Sequence, residues 1–369
     1  MLAYNDHSIG TLDDLLDLIC IELQLTDTQF GDAEDRYGAI GRWLGEGSSP
    51  LANRVFRIYP QGSMALGTTV KPRDHEEFDL DLILLVQHAG SPAELRAAVT
   101  KRMLSNGSYA DKLDLRKPRC IRVMYERQFY LDIVPARPDQ VRGGTFIEVP
   151  DKDLGQWRSG NPLQYVSWFE YQCRMIALEK AAQDPLPRNV PVKHKPVLKR
   201  AVQLLKRRRD VVFDGVPNAP SSTVLTTLAG HFYRNEASVV GALKHILADT
   251  SAAIDRAWPG RIMLCNPANA DECLTDCWTD ESYQEFVIFI HDFDAALDKL
   301  EEQVGHGLPA LGAELKRLFD EEGTVTNRAL NEFAKSLQNK RRAGELRVTS
   351  GGLALGVGRV IPRNTHYGR

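Results

Sequence analysis

QGSMALGTTVKPRDHEEFDLDLILLV, residues 61–86, is the stretch whose reading decides the fold. Its second half, Phe78–Val86, is an apolar run broken only by Asp79 and Asp81. Side chains of a strand alternate between faces, so these two aspartates share one face while Leu80, Leu82 and Leu84 take the other. Two close carboxylates repel, and burial makes ionising either of them harder. A solvent-facing polar stripe on an edge strand would relieve that conflict. So would a divalent cation, for which hard oxygen ligands are suited. Further along, FYLDIVP at 129–135 places Asp132 in a second apolar stretch. Read alone, Asp132 is a strand-end or turn residue. Beside Asp79 and Asp81 it is the third carboxylate that a two-metal site requires, one metal for the attacking hydroxyl and one for the triphosphate.

Upstream, VFRIY at 55–59 reads as a strand, and Gly62-Ser63 follows it. Such a turn lets backbone N–H groups and a hydroxyl face a phosphate. A Gly-Ser pair means little alone; followed by DxD on the next strand and Asp132 on a third, it is specific. The segment 61–86 with YLDIVPA resembles the polymerase-β-like nucleotidyltransferase superfamily, whose GS…DxD…D signature is met at Gly62, Ser63, Asp79, Asp81 and Asp132. More narrowly it resembles the bacterial cyclic-oligonucleotide synthases related to cyclic GMP–AMP synthase, the CD-NTases of antiphage (CBASS) systems. VLKRAVQLLKRRRD at 197–210, PSSTVLTTLAG at 220–230 and NPANADECLTDCWTD at 266–280 extend the likeness over roughly residues 55–290.

The resemblance implies a mixed α/β (α+β) nucleotidyltransferase lobe and a mainly helical lobe, with the active site in the cleft between them. It implies two Mg²⁺ ions, with Mn²⁺ able to substitute, on Asp79, Asp81 and Asp132, and NTP substrates joined into a cyclic di- or trinucleotide with loss of pyrophosphate. It also implies that Lys206 and one of Ser221 or Ser222 contact the donor triphosphate, and that Asn161 or Tyr165 meets the nucleobase. Read from the residues, the basic stretch Arg188–Arg209 is a solvated face or a triphosphate site, and serines opening a helix suit an anion. Arg207, Arg208 and Arg209 are consecutive and cannot all face a cleft, so they are expected at the surface or on RNA. The aromatics of WRSGNPLQYVSWFEY (157–171) also have the helical spacing of a core. IPRNTHYGR at the end is similar to family tails conjugated through a C-terminal glycine, but here Arg369 follows Gly368.

Composition narrows the rest. The 369 residues are 43% hydrophobic and 26% charged with a net charge of −3, the profile of a globular protein without a global attraction for nucleic acid or membrane. Apolar runs are too short to span a bilayer and MLAYNDHSIG has no secretory character, which predicts a cytoplasmic protein. Six scattered cysteines read as reduced thiols. Cys265, Cys273, Cys277 and His291 form a weak zinc pattern, with buried thiols the simpler reading. Thr11 and Asp14 resemble a capping box opening a first helix, and Thr26 and Gln29 open a second. A helix is expected in SPAELRAAVTKRML and strands at 120–126 and 128–134; helical periods recur at 162–181, 195–210, 222–249, 281–303, 309–320 and 326–342. The expected division is 1–160 for the catalytic lobe with the N-terminal helices, 161–345 for the helical lobe, and 346–369 for a flexible Gly-rich tail, which is the place for a conjugation or regulatory partner.

Overall fold

The computed structural model describes residues 6–45, 51, 54–73, 78–125, 129–173, 185–349, 352–355 and 359–360. Helices α1 (Asp6–Leu23) and α2 (Asp27–Gly45) lead into β1 (Val55–Gln61), α3 (Gly62–Leu66), β2 (Phe78–Val86), α4 (Pro92–Leu104) and α5 (Gly107–Ala110). Strands β3 (Leu113–Asp114), β4 (Ile121–Tyr125), β5 (Phe129–Pro138), β6 (Ile147–Asp151) and β7 (Gln156–Gly160) follow. Then come α6 (Pro162–Gln172), α7 (Val197–Val212), α8 (Ser222–Phe232) and α9 (Val239–Ala257), the hairpin β8 (Cys265–Asn266) and β9 (Asn269–Cys273), and α10 (Asp280–Gln303), α11 (Leu308–Phe319) and α12 (Thr324–Arg342). The tail carries β10 (Leu346–Thr349), β11 (Gly352–Leu355) and β12 (Arg359–Val360).

The first seven strands make one mixed sheet, ordered β1-β2-β5-β4-β3 with β6 and β7 continuing from β5. β2 and β5 run parallel in its middle, while their outer neighbours are antiparallel. Alternation along β2 does what the sequence predicts. Leu80, Leu82 and Leu84 are buried with Leu131 and Ile133 of β5 against Tyr37, Ile40 and Leu44 of α2 and Leu95 and Val99 of α4. Each such side chain contributes about 1.5–3 kcal/mol by leaving water. The opposite face changes character along its length: Ile83 and Leu85 join Tyr59, Val134 and Ile147 in a small apolar cluster, while Asp79 and Asp81 occupy the other end. Ser91 and Glu94 close a reciprocal capping box at the start of α4, and Thr26 and Gln29 do the same before α2.

Four sequence expectations need correction. α1 begins at Asp6, ahead of Thr11, because a lone Gly10 does not break an otherwise helical stretch. Its Leu12, Leu15, Leu16, Ile19 and Leu23 are buried in the large helical core with α7, α9 and α10, so this N-terminal helix belongs with the helical lobe rather than with residues 1–160. The periodicity at 222–249 splits into α8 and α9, with Asn235 in the left-handed region and Ser238 capping α9 by accepting from Gly241 N at 2.9 Å. The tail, expected to be extended or mobile, has β10 paired antiparallel with both β11 and β12; residues 361–369, with IPRNTHYGR, lie outside the described residues. Among the described residues no helix is long and apolar enough to cross a membrane.

Candidate active site

Parallel pairing sets Asp81 directly opposite Asp132, and antiparallel pairing sets Arg122 of β4 opposite Asp132 on its other side. Side chains opposite one another share a face, so all three lie on the sheet face that carries Asp79. Arg122 Nε and Nη2 donate to the two oxygens of Asp132 at 2.7 and 2.8 Å, and Nη2 also donates to Asp79 Oδ1 at 2.8 Å. Its guanidinium lies 4.4 Å from the centroid of the Tyr130 ring. Burial works against the Arg122 charge, but the hydrogen bond and charge of Asp132, then the charge of Asp79, outweigh it and raise the pKa further. Burial pushes the Asp81 carboxyl up to about 7, with Asp132 and Asp79 adding like-charge repulsion. Asp79 is also raised, mainly by burial and against the pull of Arg122. Asp79 and Asp81 line a cleft of about 570 Å³, whereas Asp132, 6% exposed, stands behind them.

The Gly-Ser turn is built against these carboxylates. Gln61 pairs with Asp81, and Gly62 follows with φ of 62°. A Cβ on Gly62 would fall 2.3 Å from Asp81 Oδ2, so glycine is required both by the backbone and by the carboxylate. Ser63 lines the cleft and its Oγ accepts from Thr69 Oγ1 at 3.2 Å. Behind the turn, α7 stitches down the segment that leads to β2. Lys206 Nζ donates to Thr68 Oγ1 at 2.9 Å, Gln203 Nε2 to Thr69 O at 2.8 Å, and Arg207 Nη2 to Lys71 O at 2.6 Å. Lys206 lines the cleft while 4% exposed, and burial, with Arg209 nearby, lowers its pKa to about 7.

The two candidate serines divide their tasks. Ser221 is the N-cap of α8, its Oγ accepting from Val224 N at 3.2 Å. Ser222 lines the cleft and accepts from Arg209 Nη1 at 2.7 Å. Arg207, Arg208 and Arg209 are not the surface residues expected. Arg207 and Arg208 are 3% and 9% exposed and donate to backbone carbonyls, and Arg209 faces the cleft. Neighbouring helices cover the side of α7 that the sequence left to solvent. Asn161 and Tyr165 both line the cleft and are both packed: Asn161 Oδ1 accepts from Thr145 Oγ1 at 2.8 Å, and Tyr165 OH meets Thr227 Oγ1 at 2.8 Å.

Sequence reasoning missed Arg122, and it missed Asn266 and Glu272, which line the cleft from the β8–β9 hairpin. A lone charged residue between Ile121 and Val123 was the available signal for Arg122. Cys265 and Cys277 are exposed rather than buried, and Cys273, at the end of β9, is only partly buried. Among the described residues no three His, Cys, Asp or Glu side chains are arranged to hold a metal ion as they stand. At the carboxylates, Arg122 spans Asp79 and Asp132. The donor set still suits a hard divalent cation: three carboxylates converge, one of them held toward its neutral form by burial and by the added repulsion of its neighbours, which a cation would offset.

A mixed sheet carrying Asp79, Asp81 and Asp132 over a Gly-Ser turn, closed by a cation-bearing helical lobe, defines a polymerase-β-like nucleotidyltransferase. Residues 11–172 match the Second Messenger Oligonucleotide or Dinucleotide Synthetase domain. A c-di-GMP synthase of Roseivirga ehrenbergii is 31% identical over 372 residues, covering 97% of this chain and 97% of that protein. The cyclic dinucleotide synthase CdnG of Bradyrhizobium diazoefficiens is 28% identical over 313 residues, 76% of this chain and 73% of that one. The structure of that CdnG in complex with GTP superposes with a TM-score of 0.72 at 25% identity, covering 88% of this chain and 99% of that chain. The chain belongs to the CD-NTase family, the nucleotidyltransferases that make cyclic-oligonucleotide second messengers.

Proposed function

We propose that this enzyme joins two nucleoside triphosphates into a cyclic dinucleotide in two rounds, each expelling pyrophosphate. The observation that carries this reading is the convergence of Asp79, Asp81, the Gly62–Ser63 turn, Lys206 and Ser222 on one cleft. In each round a ribose hydroxyl attacks the α-phosphorus of a donor triphosphate. Asp79, Asp81 and Asp132 are assigned to hold two Mg²⁺ ions, which when bound supply charge neutralisation and lower the pKa of the attacking hydroxyl. Arg122 releases Asp79 for this and keeps Asp132 oriented. The Gly62 and Ser63 amides, Ser222 Oγ and the Lys206 ammonium are assigned to the triphosphate, whose charge favours the protonated lysine. Ser221 acts on the triphosphate only by fixing the first turn of α8.

The names of the relatives favour GTP as a substrate. Glu272, a carboxylate acceptor lining the cleft, suits the paired N–H donors of a guanine edge. The family resemblance further supports a role in antiphage signalling in the cytoplasm, with a conjugation or regulatory partner engaging the Gly-rich tail.

Incubation of the purified protein with radiolabelled NTPs and Mg²⁺, then phosphatase and mass spectrometry, tests this. A phosphatase-resistant product, missing from Asp79→Ala/Asp81→Ala, supports a cyclic dinucleotide, and its mass names the bases. Phosphatase-sensitive products would replace this reading with linear oligonucleotide synthesis.

A further inference from the structure

The β8–β9 hairpin carries Cys265 and Cys273 as a cross-strand pair. One backbone bond decides what kind of pair they are. Leu274 N donates to Leu264 O at 2.7 Å. These are the residues immediately outside the two cysteines, so Cys265 and Cys273 form the narrow pair, the one that exchanges no backbone hydrogen bonds between its own members. In such a pair the Cα atoms are about 4.5 Å apart and the side chains leave from the same face. A disulfide accepts Cα separations of about 4.4–6.8 Å. Cys265 is exposed and Cys273 partly so, its Sγ touching Thr275 Oγ1 at 3.3 Å, and both are thiols. Cys277 is also exposed but lies past the end of β9, in the turn that leads to α10.

We propose that Cys265 and Cys273 are a redox modification site, closing a reversible intrachain disulfide across the hairpin. With hydrogen peroxide as oxidant, one thiolate attacks the O–O bond and, with a proton taken up, gives a sulfenic acid and releases water. The second thiolate displaces the hydroxyl from that sulfur, forming the S–S bond and a second water. Two thiols are oxidised and one peroxide is reduced. The next residue along each strand, Asn266 and Glu272, lines the cleft, and Asn266 Nδ2 donates to Glu272 Oε2 at 2.7 Å. The bridge therefore fixes the two strands that present this pair, and nucleotide capture becomes redox-dependent. That consequence rests on the functional reading above; the bridge itself does not.

Peptide mapping separates the two. The full chain is treated with hydrogen peroxide, free thiols are alkylated, and the protein is cut by a protease that cleaves before aspartate. Asp271 and Asp276 lie between the three cysteines, so each falls on its own peptide. The expected result is a Cys265 peptide joined to a Cys273 peptide, two hydrogens lighter than their sum. It is released by dithiothreitol, absent from Cys265→Ser and Cys273→Ser, and retained in Cys277→Ser. Bridges to Cys277, covalent dimers, or alkylation of both cysteines at a dose that oxidises Cys277 would overturn the proposal. In the same samples the oxidised protein should show a KM for GTP shifted about threefold or more, as expected when a contact surface is preorganised. The shift should be reversed by dithiothreitol and missing in Cys273→Ser. A bridge without that shift would overturn only the functional consequence.

Discussion

The two walls of the cleft are built in opposite ways and face opposite conflicts. The sheet wall gathers negative charge: Asp79 and Asp81 on β2, with Asp132 behind, and burial drives Asp81 toward its neutral form. The helical wall gathers positive charge: Lys206 and Arg209 on α7, and burial drives Lys206 toward its neutral form. A strand presents charge at little structural expense, because alternation leaves its other face free to pack. A helix has no such clean division, and α7 is covered on most sides. Its cations are therefore partly consumed by carbonyls, as at Thr68, Lys71 and Arg317. Each wall gathers mainly one sign of charge, and a metal-bound triphosphate would offer both walls their counter-charge at once.

The largest expected effect comes from stripping the sheet wall. Asp79→Ala/Asp81→Ala should reduce synthesis by about 10³-fold or more in a product assay. Its thermal midpoint in EDTA should equal or exceed that of wild type, because repelling carboxylates are removed from a fold that does not need them. Loss of the folded state in that variant would mean that the carboxylates hold the sheet together.

On the helical wall, Lys206→Met should lower kcat/KM by about 10²-fold, the scale for losing one preorganised donor to the phosphates. Its metal-free stability should be little changed, since methionine fills the volume and a buried charge is removed. An effect on unfolding alone, with kcat/KM intact, would reassign Lys206 to packing against Thr68.

A pH series sharpens the contrast, because the two walls have opposite signs. Asp81 is raised from 3.8 to about 7, so its contribution to stability is full below about 4 and is lost as pH rises through 7. Lys206 is lowered from 10.5 to about 7, so its contribution is full above about 10.5 and is lost as pH falls through 7. Denaturant unfolding in EDTA should show Asp81→Asn flattening the acidic limb and Lys206→Met the alkaline limb, each by on the order of a few kcal/mol. Parallel pH profiles for both variants and wild type would remove the electrostatic difference between the walls.

The smallest effects separate adjacent serines. Ser221→Ala should cost about 1 kcal/mol of stability through the lost cap and leave the KM for GTP within about twofold. Ser222→Ala should do the reverse, raising KM by about three- to tenfold at near-constant stability. Equal effects would mean that the cleft does not distinguish the two positions.

The unequal legibility of the walls follows from the same physics. Alternation in FDLDLILLV places Asp79 and Asp81 on one face by local rules alone, and β2 spans the nine residues that the apolar run suggested. Arg122 was unreadable because its meaning depends on a register between β4 and β5 that no local pattern encodes. Arg207 and Arg208 read as solvated because a run of charge on a helix usually is; only the packing of the 68–71 segment and of α11 onto α7 buries them. Core membership was hidden in the same way. The apolar stripe of α1 was visible, but not the lobe it would join.

Calorimetric titration of a non-hydrolysable GTP analogue at pH 6.5, with Mg²⁺ and with EDTA, tests most directly whether the two walls are completed by a metal-bound triphosphate. Binding should be at least about tenfold tighter with Mg²⁺. Heats measured in buffers of different ionisation enthalpy should reveal proton release as Asp81 gives up its proton, and that release should vanish in Asp81→Asn. Equal affinity with Mg²⁺ and EDTA, with no proton linked to Asp81, would contradict the account.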